Sequence, residues 1–237
     1  MLNKLFLDNP DEEWYHMLGR GDNVNFSEKK LGTIAEILAG ITGLGENGEY
    51  TFRVIQPNNF SETGILDELE IQSRKDAVGQ QLALQTGDIL VKRLNPSFVY
   101  VVSKNEAGAI ASQNLLIVRP GEEIDPLYLA CLLEQKEIIG QVEYISGTSA
   151  AIKAISQKKL AEITIPVIPM EAQKKVGGIW QLTRKRKALL RDYIAENDKL
   201  VSVLVSRITT GGGDKNDSIR RYKSHALESS RHLPRLH

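Results

Sequence analysis

Between Pro169 and Pro234 the chain has no proline, and residues 170–210 are rich in Lys, Arg, Leu, Ala, Gln and Glu. Apolar or amphipathic side chains recur at Val176, Ile179, Leu182, Leu189, Leu190, Tyr193, Leu200, Val201, Leu204 and Ile208, the spacing of one helical face. The stretch predicts a continuous helix from Glu171 to Ile208, with an acid in its first turn and Gly211 just past its end. At about 1.5 Å per residue such a helix is roughly 57 Å long. One small domain cannot cover that length, so the helix needs another surface to lie against. Following a period of about 3.6 residues, the inward positions are Ile179, Leu182, Arg186, Leu190, Tyr193, Asn197, Leu200, Leu204 and Ile208. Arg186 and Asn197 interrupt an otherwise apolar stripe, and a polar residue in a coiled-coil seam can fix register and orientation. The stripe either packs back on its own domain or pairs with a second helix; the length favours pairing, and this set is the expected dimerisation seam.

The chain ahead of the helix has another texture. Tyr50 to Gln56, Ile89 to Arg93, Phe98 to Val102, Ala109 to Ala111 and Asn114 to Pro120 read as short strands. Tight turns at Thr86-Gly-Asp and Asn95-Pro-Ser separate them. Asp125-Pro opens a helix through Leu127 to Ile139, and Gly140 to Ile145 reads as a further short strand. Ser156 to Leu160 is a helical turn, and Ile163 to Pro169 is extended because residues before proline avoid the helical region. The glycines of Gly40-Ile-Thr-Gly-Leu-Gly lack the Gly-Lys-Ser/Thr ending of a phosphate loop and read as a flexible connection. The expected fold class is α+β: a sheet-rich, mixed domain over 28–169, then a long C-terminal helix over 170–210. Residues 1–27 read as a peripheral lead-in and 211–237 as a polar, disordered tail.

A formal net charge of zero conceals a division. Residues 1–150 hold 12 Lys+Arg against 22 Asp+Glu, and residues 151–237 hold 18 against 8, so −10 faces +10. The basic residues concentrate between Lys153 and Arg191, which suits a polyanion or an acidic protein surface as well as a plain solvated helix face. The single cysteine, Cys131, lies in an apolar run and reads as a buried structural thiol in a reducing compartment. No apolar run reaches the ~20 residues of a membrane span, and the N-terminus meets acids and a proline too early for a signal peptide. The expected location is cytoplasmic, with no membrane partner.

No catalytic constellation emerges. Asn95-Pro-Ser-Phe is similar to the Asn-Pro-Pro-Phe/Tyr loop of amino-group methyltransferases, but the second proline and a glycine-rich cofactor loop are missing, so a plain turn is the better reading. Asp125 with Glu134-Gln-Lys136 has only a loose likeness to a nuclease cluster. Three of the four histidines lie in the tail, and no metal site or cofactor is expected. What remains is recognition. Lys92, Arg93 and Asn95, then Ser112, Gln113 and Asn114, then Ser146, Thr148 and Ser149 leading to Lys153, form polar loops. Arg, Lys, Asn and Gln read base edges, while Ser, Thr and Lys hold phosphates. These ten are the candidate DNA-binding residues.

Taken in order, Leu31-Gly-Thr-Ile-Ala-Glu-Ile, Gly87-Asp-Ile-Leu-Val, Ala111-Ser-Gln-Asn-Leu-Leu-Ile-Val-Arg-Pro, Ile124-Asp-Pro-Leu-Tyr-Leu, Gly147-Thr-Ser and the run from Leu160 through Pro166, Pro169, Glu171 and Gln173 to Lys174 resemble one half of the specificity subunit of type I restriction–modification systems, over about residues 28–208. The resemblance implies a target-recognition domain that reads half of a split double-stranded DNA site. It implies that the helix pairs as an antiparallel coiled coil and sets the gap between half-sites. It also implies a non-catalytic subunit that docks a DNA adenine methyltransferase and, through it, restriction subunits. Two domain-plus-helix units make a full-length family member, and this sequence holds one. A homodimer or pairing with another half-subunit is therefore expected. Alternatives are an interaction module that does not read DNA, a truncated fragment, or, more remotely, a stand-alone DNA methyltransferase.

Overall fold

A computed structural model of the chain describes residues 27–45, 48–64, 68–94, 96–146 and 154–209, with backbone alone at 142–146. Strand β1 (Ser27–Lys30) runs into a single helical turn, α1 (Leu31–Ile34), and then β2 (Ala35–Ala39). Strands β3 (Tyr50–Ile55), β4 (Glu70–Arg74), β5 (Ile89–Lys92), β6 (Val99–Val101), β7 (Ile110–Ala111) and β8 (Leu115–Pro120) follow. Helices α2 (Pro126–Leu133), α3 (Lys136–Ser146) and α4 (Gln157–Ala161) lead to β9 (Thr164–Val167) and the long α5 (Met170–Thr209). The fold is α+β. One sheet has the order β2-β8-β5-β6, all antiparallel. A second has the order β4-β3-β7, with β3 and β7 parallel, and β1 pairs with β9 alone.

The first sheet organises the core because its middle strands are apolar on both faces. Ile89, Leu90, Val91 and Leu115 through Val118 are all fully buried. One face, with Ile89, Val91, Leu116 and Val118, packs against Leu31, Ile34, Tyr128, Leu129 and Leu133. The other, with Leu90, Leu115 and Ile117, packs against Ile55, Phe60, Ala109 and Ala111 beside the second sheet. A strand sandwiched in this way reads as a continuous apolar run rather than an alternation. The turn into β5 is held by Asp88, whose carboxylate accepts from Gln85 N at 2.8 Å and from Arg119 Nε and Nη2 at 2.9 and 2.8 Å. Gly87 takes φ 93° there, a conformation that favours glycine.

Asp125 caps α2 by accepting from Leu127 N and Tyr128 N, both at 3.0 Å, with Pro126 in the first turn. Four expectations need correction. The single helix through Ile139 is two helices, broken where Glu134 and Gln135 turn back on Leu132 O. Gly140 to Ile145 is helical, within α3, rather than a strand. Gln141 explains that placement: its amide donates to Thr164 O at 3.1 Å and accepts from Thr164 N at 2.8 Å, so a helical side chain stands in for a strand partner along β9. The glycine connection after β2 is tied down rather than free, since Ile41 bridges Ser112 and Gly45 bridges Ser73. Cys131 is only half-buried, and burial pushes its thiol up, away from the reactive thiolate.

Tyr128 is almost fully buried and donates to Pro166 O at 2.8 Å, tying α2 to β9. Burial pushes its phenol up to about 12, from an ordinary value near 10. A raised folded-state value gives stability that is complete below pH ~10 and is lost as pH rises towards about 12. Tyr128→Phe is therefore expected to cost about 1 kcal/mol at neutral pH and to flatten the alkaline limb of a urea-midpoint titration. An unchanged limb would exclude Tyr128 as its source.

The chain divides into two compact units, one ending at Ala188 and the other starting at Leu189, inside α5. The described part of the first unit holds all three sheets and the first half of that helix. In the second unit, Leu189, Leu190, Tyr193, Ile194, Leu200, Val201, Val203, Leu204, Val205 and Ile208 are all exposed.

Candidate nucleic-acid interface and pairing helix

Strands β2 and β5 end, and β8 begins, on the same edge of the first sheet: Ala39 faces Leu116, and Lys92 faces Leu115. The β7–β8 turn, Ser112 to Asn114, therefore meets the loops after β2 and β5 there. The approach is close. A Cβ on Gly40 would lie 2.0 Å from Ser112 O and 2.8 Å from Ala111 O, so only glycine fits. Ser112 N donates to Ile55 O at 3.0 Å and Leu115 N to Ser112 O at 2.9 Å, which closes the turn.

Of the ten candidate DNA-binding residues, the fold gathers five here. Lys92 and Arg93 are held by the domain itself. Lys92 Nζ donates to Phe60 O at 2.9 Å and lies 4.7 Å from the centre of the Phe60 ring, and burial lowers its pKa. Arg93 donates from Nε to Ile155 O and from Nη1 to Gln113 O, both at 3.2 Å. Its backbone N–H donates to Asn114 O at 3.0 Å, and its carbonyl accepts from Ile155 N at 2.8 Å. Arg93 thus ties the β5 loop, the β7–β8 turn and the segment entering α4 together. Ser112 Oγ is buried and has no hydrogen-bond partner among the described residues. Gln113 and Asn114 are exposed. Asn95, Thr148, Ser149 and Lys153 lie outside the described residues, as does the side chain of Ser146; the lead-in and the tail are also outside them.

The seam positions Ile179, Leu182, Arg186, Leu190, Tyr193, Asn197, Leu200, Leu204 and Ile208 are all exposed in α5. The helix uses another face to hold its own domain: Gln173, Gly177, Trp180, Arg184 and Ala188, spaced four, three, four and four apart. At about 3.6 residues per turn this face lies opposite Ile179, Leu182 and Arg186. Gln173 accepts from Asp125 N at 2.7 Å and donates to Glu123 O and Ile168 O at 3.1 and 2.7 Å. Arg184 is buried, donating from Nη1 to Glu134 Oε1 at 2.6 Å and Val99 O at 3.0 Å, and from Nη2 to Ser61 O at 2.9 Å. Trp180 Nε1 donates to Glu134 Oε2 at 2.9 Å, and the Arg184 guanidinium lies 4.7 Å from the Trp180 ring centre. Sequence reading missed this joint. Its signal was a buried-spacing stripe made of Gln, Gly and Arg, which periodicity of apolar residues does not register.

Gly177 permits the contact, since a Cβ there would come within 2.7 Å of both Leu127 Cβ and Tyr128 N. Gly177→Leu is expected to destabilise the first unit by about 1–3 kcal/mol despite a helix-propensity gain of nearly 1 kcal/mol. A urea midpoint at or above that of the natural chain would contradict it. Among the described residues no group of His, Cys, Asp or Glu could hold a metal ion, and no helix is long and apolar enough to cross a membrane. Asp125 and Glu134, the loose nuclease candidates, serve as a helix cap and as the ion-pair partner of Arg184.

Residues 23–185 match the type I restriction modification DNA specificity domain. The chain belongs to that family. A relative provisionally named type I restriction enzyme MjaX specificity subunit, from Methanocaldococcus jannaschii, is 25% identical over 161 residues, covering 64% of this chain and 37% of its own length. The fold of the specificity domain is that of the HsdS subunit from Thermoanaerobacter tengcongensis, with a TM-score of 0.56 at 17% identity over 81% of this chain and 52% of that one. It is also that of the S subunit of a type I restriction–modification system from M. genitalium, with a TM-score of 0.53 at 14% identity over 89% and 52%. The chain spans about half the length of these solved specificity subunits.

Proposed function

We propose that this specificity-domain chain is a DNA-recognition half-subunit. The folded domain reads one half of an interrupted site, and the exposed stripe of α5 pairs antiparallel with a second copy or another half. The assembly docks a DNA adenine methyltransferase subunit and, through it, restriction subunits. The carrying observation is that helix face: Leu182, Leu190, Tyr193 and Leu204 stand about half or more exposed, while a separate face serves the domain. Apolar surface at helical spacing that stands exposed among the described residues supports an interface there. The chain contributes no catalysis in this reading; it selects where a partner acts. A paired chain with two-fold symmetry reads a two-fold symmetric site.

Methylome sequencing of cells carrying the methyltransferase subunit, with and without this chain, tests the proposal. An interrupted, symmetric methylation motif that appears only with the chain is expected. Identical methylomes would sink it. A second reading, a protein-binding module without DNA selectivity, draws on the −10 charge of residues 1–150 and on the internal engagement of Lys92 and Arg93. Salt-dependent binding to the methyltransferase with no change in motif would favour it.

A further inference from the structure

We propose that the β7–β8 turn is a base-reading element of the domain, with Gln113 and Asn114 as its reading side chains and Arg93 as a positioning residue that does not touch DNA. The inference rests on the recognition reading above and specifies which side chains perform it. Three observations carry it. First, of the five candidate residues gathered at this edge, Gln113 and Asn114 have exposed side chains, whereas both cations are engaged with backbone carbonyls. Second, the turn is rigid. Its carbonyls at Gln113 and Asn114 are both bonded by Arg93, its Ser112 N by Ile55 O, and Gly40 abuts it with no room for a Cβ. A turn whose backbone is held in this way fixes the positions from which its two exposed side chains reach a ligand. Third, Leu94, which follows Arg93 on the neighbouring β5 loop, stands about half exposed, an apolar side chain on the loop that Arg93 N ties to Asn114 O.

That combination has a chemical preference. A carboxamide offers one donor and one acceptor side by side, matching N6–H and N7 of adenine in the major groove, and an apolar side chain suits the thymine C5-methyl group. The two amides, with Leu94 on the adjoining loop, therefore favour an A·T pair. Arg93 could be mistaken for a phosphate contact. Its guanidinium bridges two loops from two separate nitrogens, and a lysine, with all its donors on one nitrogen and no planar fork, is a poor substitute for that span.

The test uses the full chain with its methyltransferase subunit. The variant Gln113→Ala/Asn114→Ala is expected to leave the methylation motif intact except at an A·T position in each half-site, where discrimination falls roughly ten- to hundredfold. An unchanged motif overturns this assignment while leaving the recognition reading in place. No motif with the natural chain overturns both. Since these side chains are exposed, the urea midpoint of the double variant should match that of the natural chain; a lowered midpoint would mean that the motif changed through loss of fold and would also overturn the assignment. For Arg93, the slope of log affinity against log salt separates the roles. Arg93→Ala and Arg93→Lys should both relax the same A·T position and leave the slope unchanged. A slope that falls by about one in Arg93→Ala and recovers in Arg93→Lys would make it a phosphate contact.

Discussion

Glu134→Ala is expected to cost about 3–5 kcal/mol of stability, the range for breaking a buried ion pair from one side. The Glu134 and Arg184 side chains are only 15% and 8% exposed. Removing the carboxylate leaves a guanidinium that cannot shed its proton to escape the cost. It also strips Val99 N and Trp180 Nε1 of their acceptor, at 3.1 and 2.9 Å. The loss should appear as a fall in the urea midpoint with an unchanged slope. A companion double variant, Glu134→Leu/Arg184→Met, removes both charges at once and should recover part of the loss. Recovery should be incomplete, because Val99 O and Ser61 O then lose their donor and each unsatisfied buried group costs about 1–3 kcal/mol. A Glu134→Ala cost below about 1 kcal/mol would mean that the joint is solvated and that the helix is held by Gln173 and Gly177 instead.

The second large effect concerns pairing. Leu190 and Leu204 are about half exposed in the isolated chain, so a partner helix could still cover each. Replacing both by Glu loses about 1 kcal/mol or more of burial per site and places a charge where water would be excluded. A two-fold pair contains each site twice. The combined loss is on the order of 5 kcal/mol, a change of several thousandfold in the dissociation constant. Light scattering coupled to size exclusion at micromolar concentration should then report monomers where the natural chain gives dimers. Dimers that survive the double substitution would place the interface elsewhere. Natural chain that is monomeric at every concentration tested, without another half present, would remove the homodimer and leave pairing with a different chain.

Much of the secondary structure was legible because the local rules agree with the fold. Central strands β5 and β8 announce themselves as Ile89-Leu-Val and Leu115-Leu-Ile-Val, since a strand covered on both faces has no place for a polar residue. Asp125-Pro126 marks a helix start because a carboxylate and a proline each suit the unsatisfied N–H groups there. Where the local rules fail, a distant partner is responsible. Gly140 and its neighbours are helical because Gln141 reaches the backbone of Thr164, a contact 23 residues away that no window contains. Lys92 and Arg93 looked like groove-facing cations, and residue type cannot reveal that their acceptors are Phe60 O, Ile155 O and Gln113 O.

The long helix divides along the same line. Its existence, its extent and the apolar stripe from Ile179 to Ile208 follow from the sequence alone, since proline-free periodicity is a local property of a hydrogen-bonded backbone. Which face holds the domain was decided only by tertiary structure. The docking face is Gln173, Gly177, Trp180, Arg184 and Ala188, and most of its strength is polar or steric: an amide bonded to three backbone groups, a glycine pressed on a backbone nitrogen, and a guanidinium paired with Glu134. Such contacts depend on partners brought near by the fold, whereas an apolar stripe declares itself wherever it lies. The sequence therefore displays the stripe that stands exposed among the described residues, and the structure reveals the face already used to hold the domain.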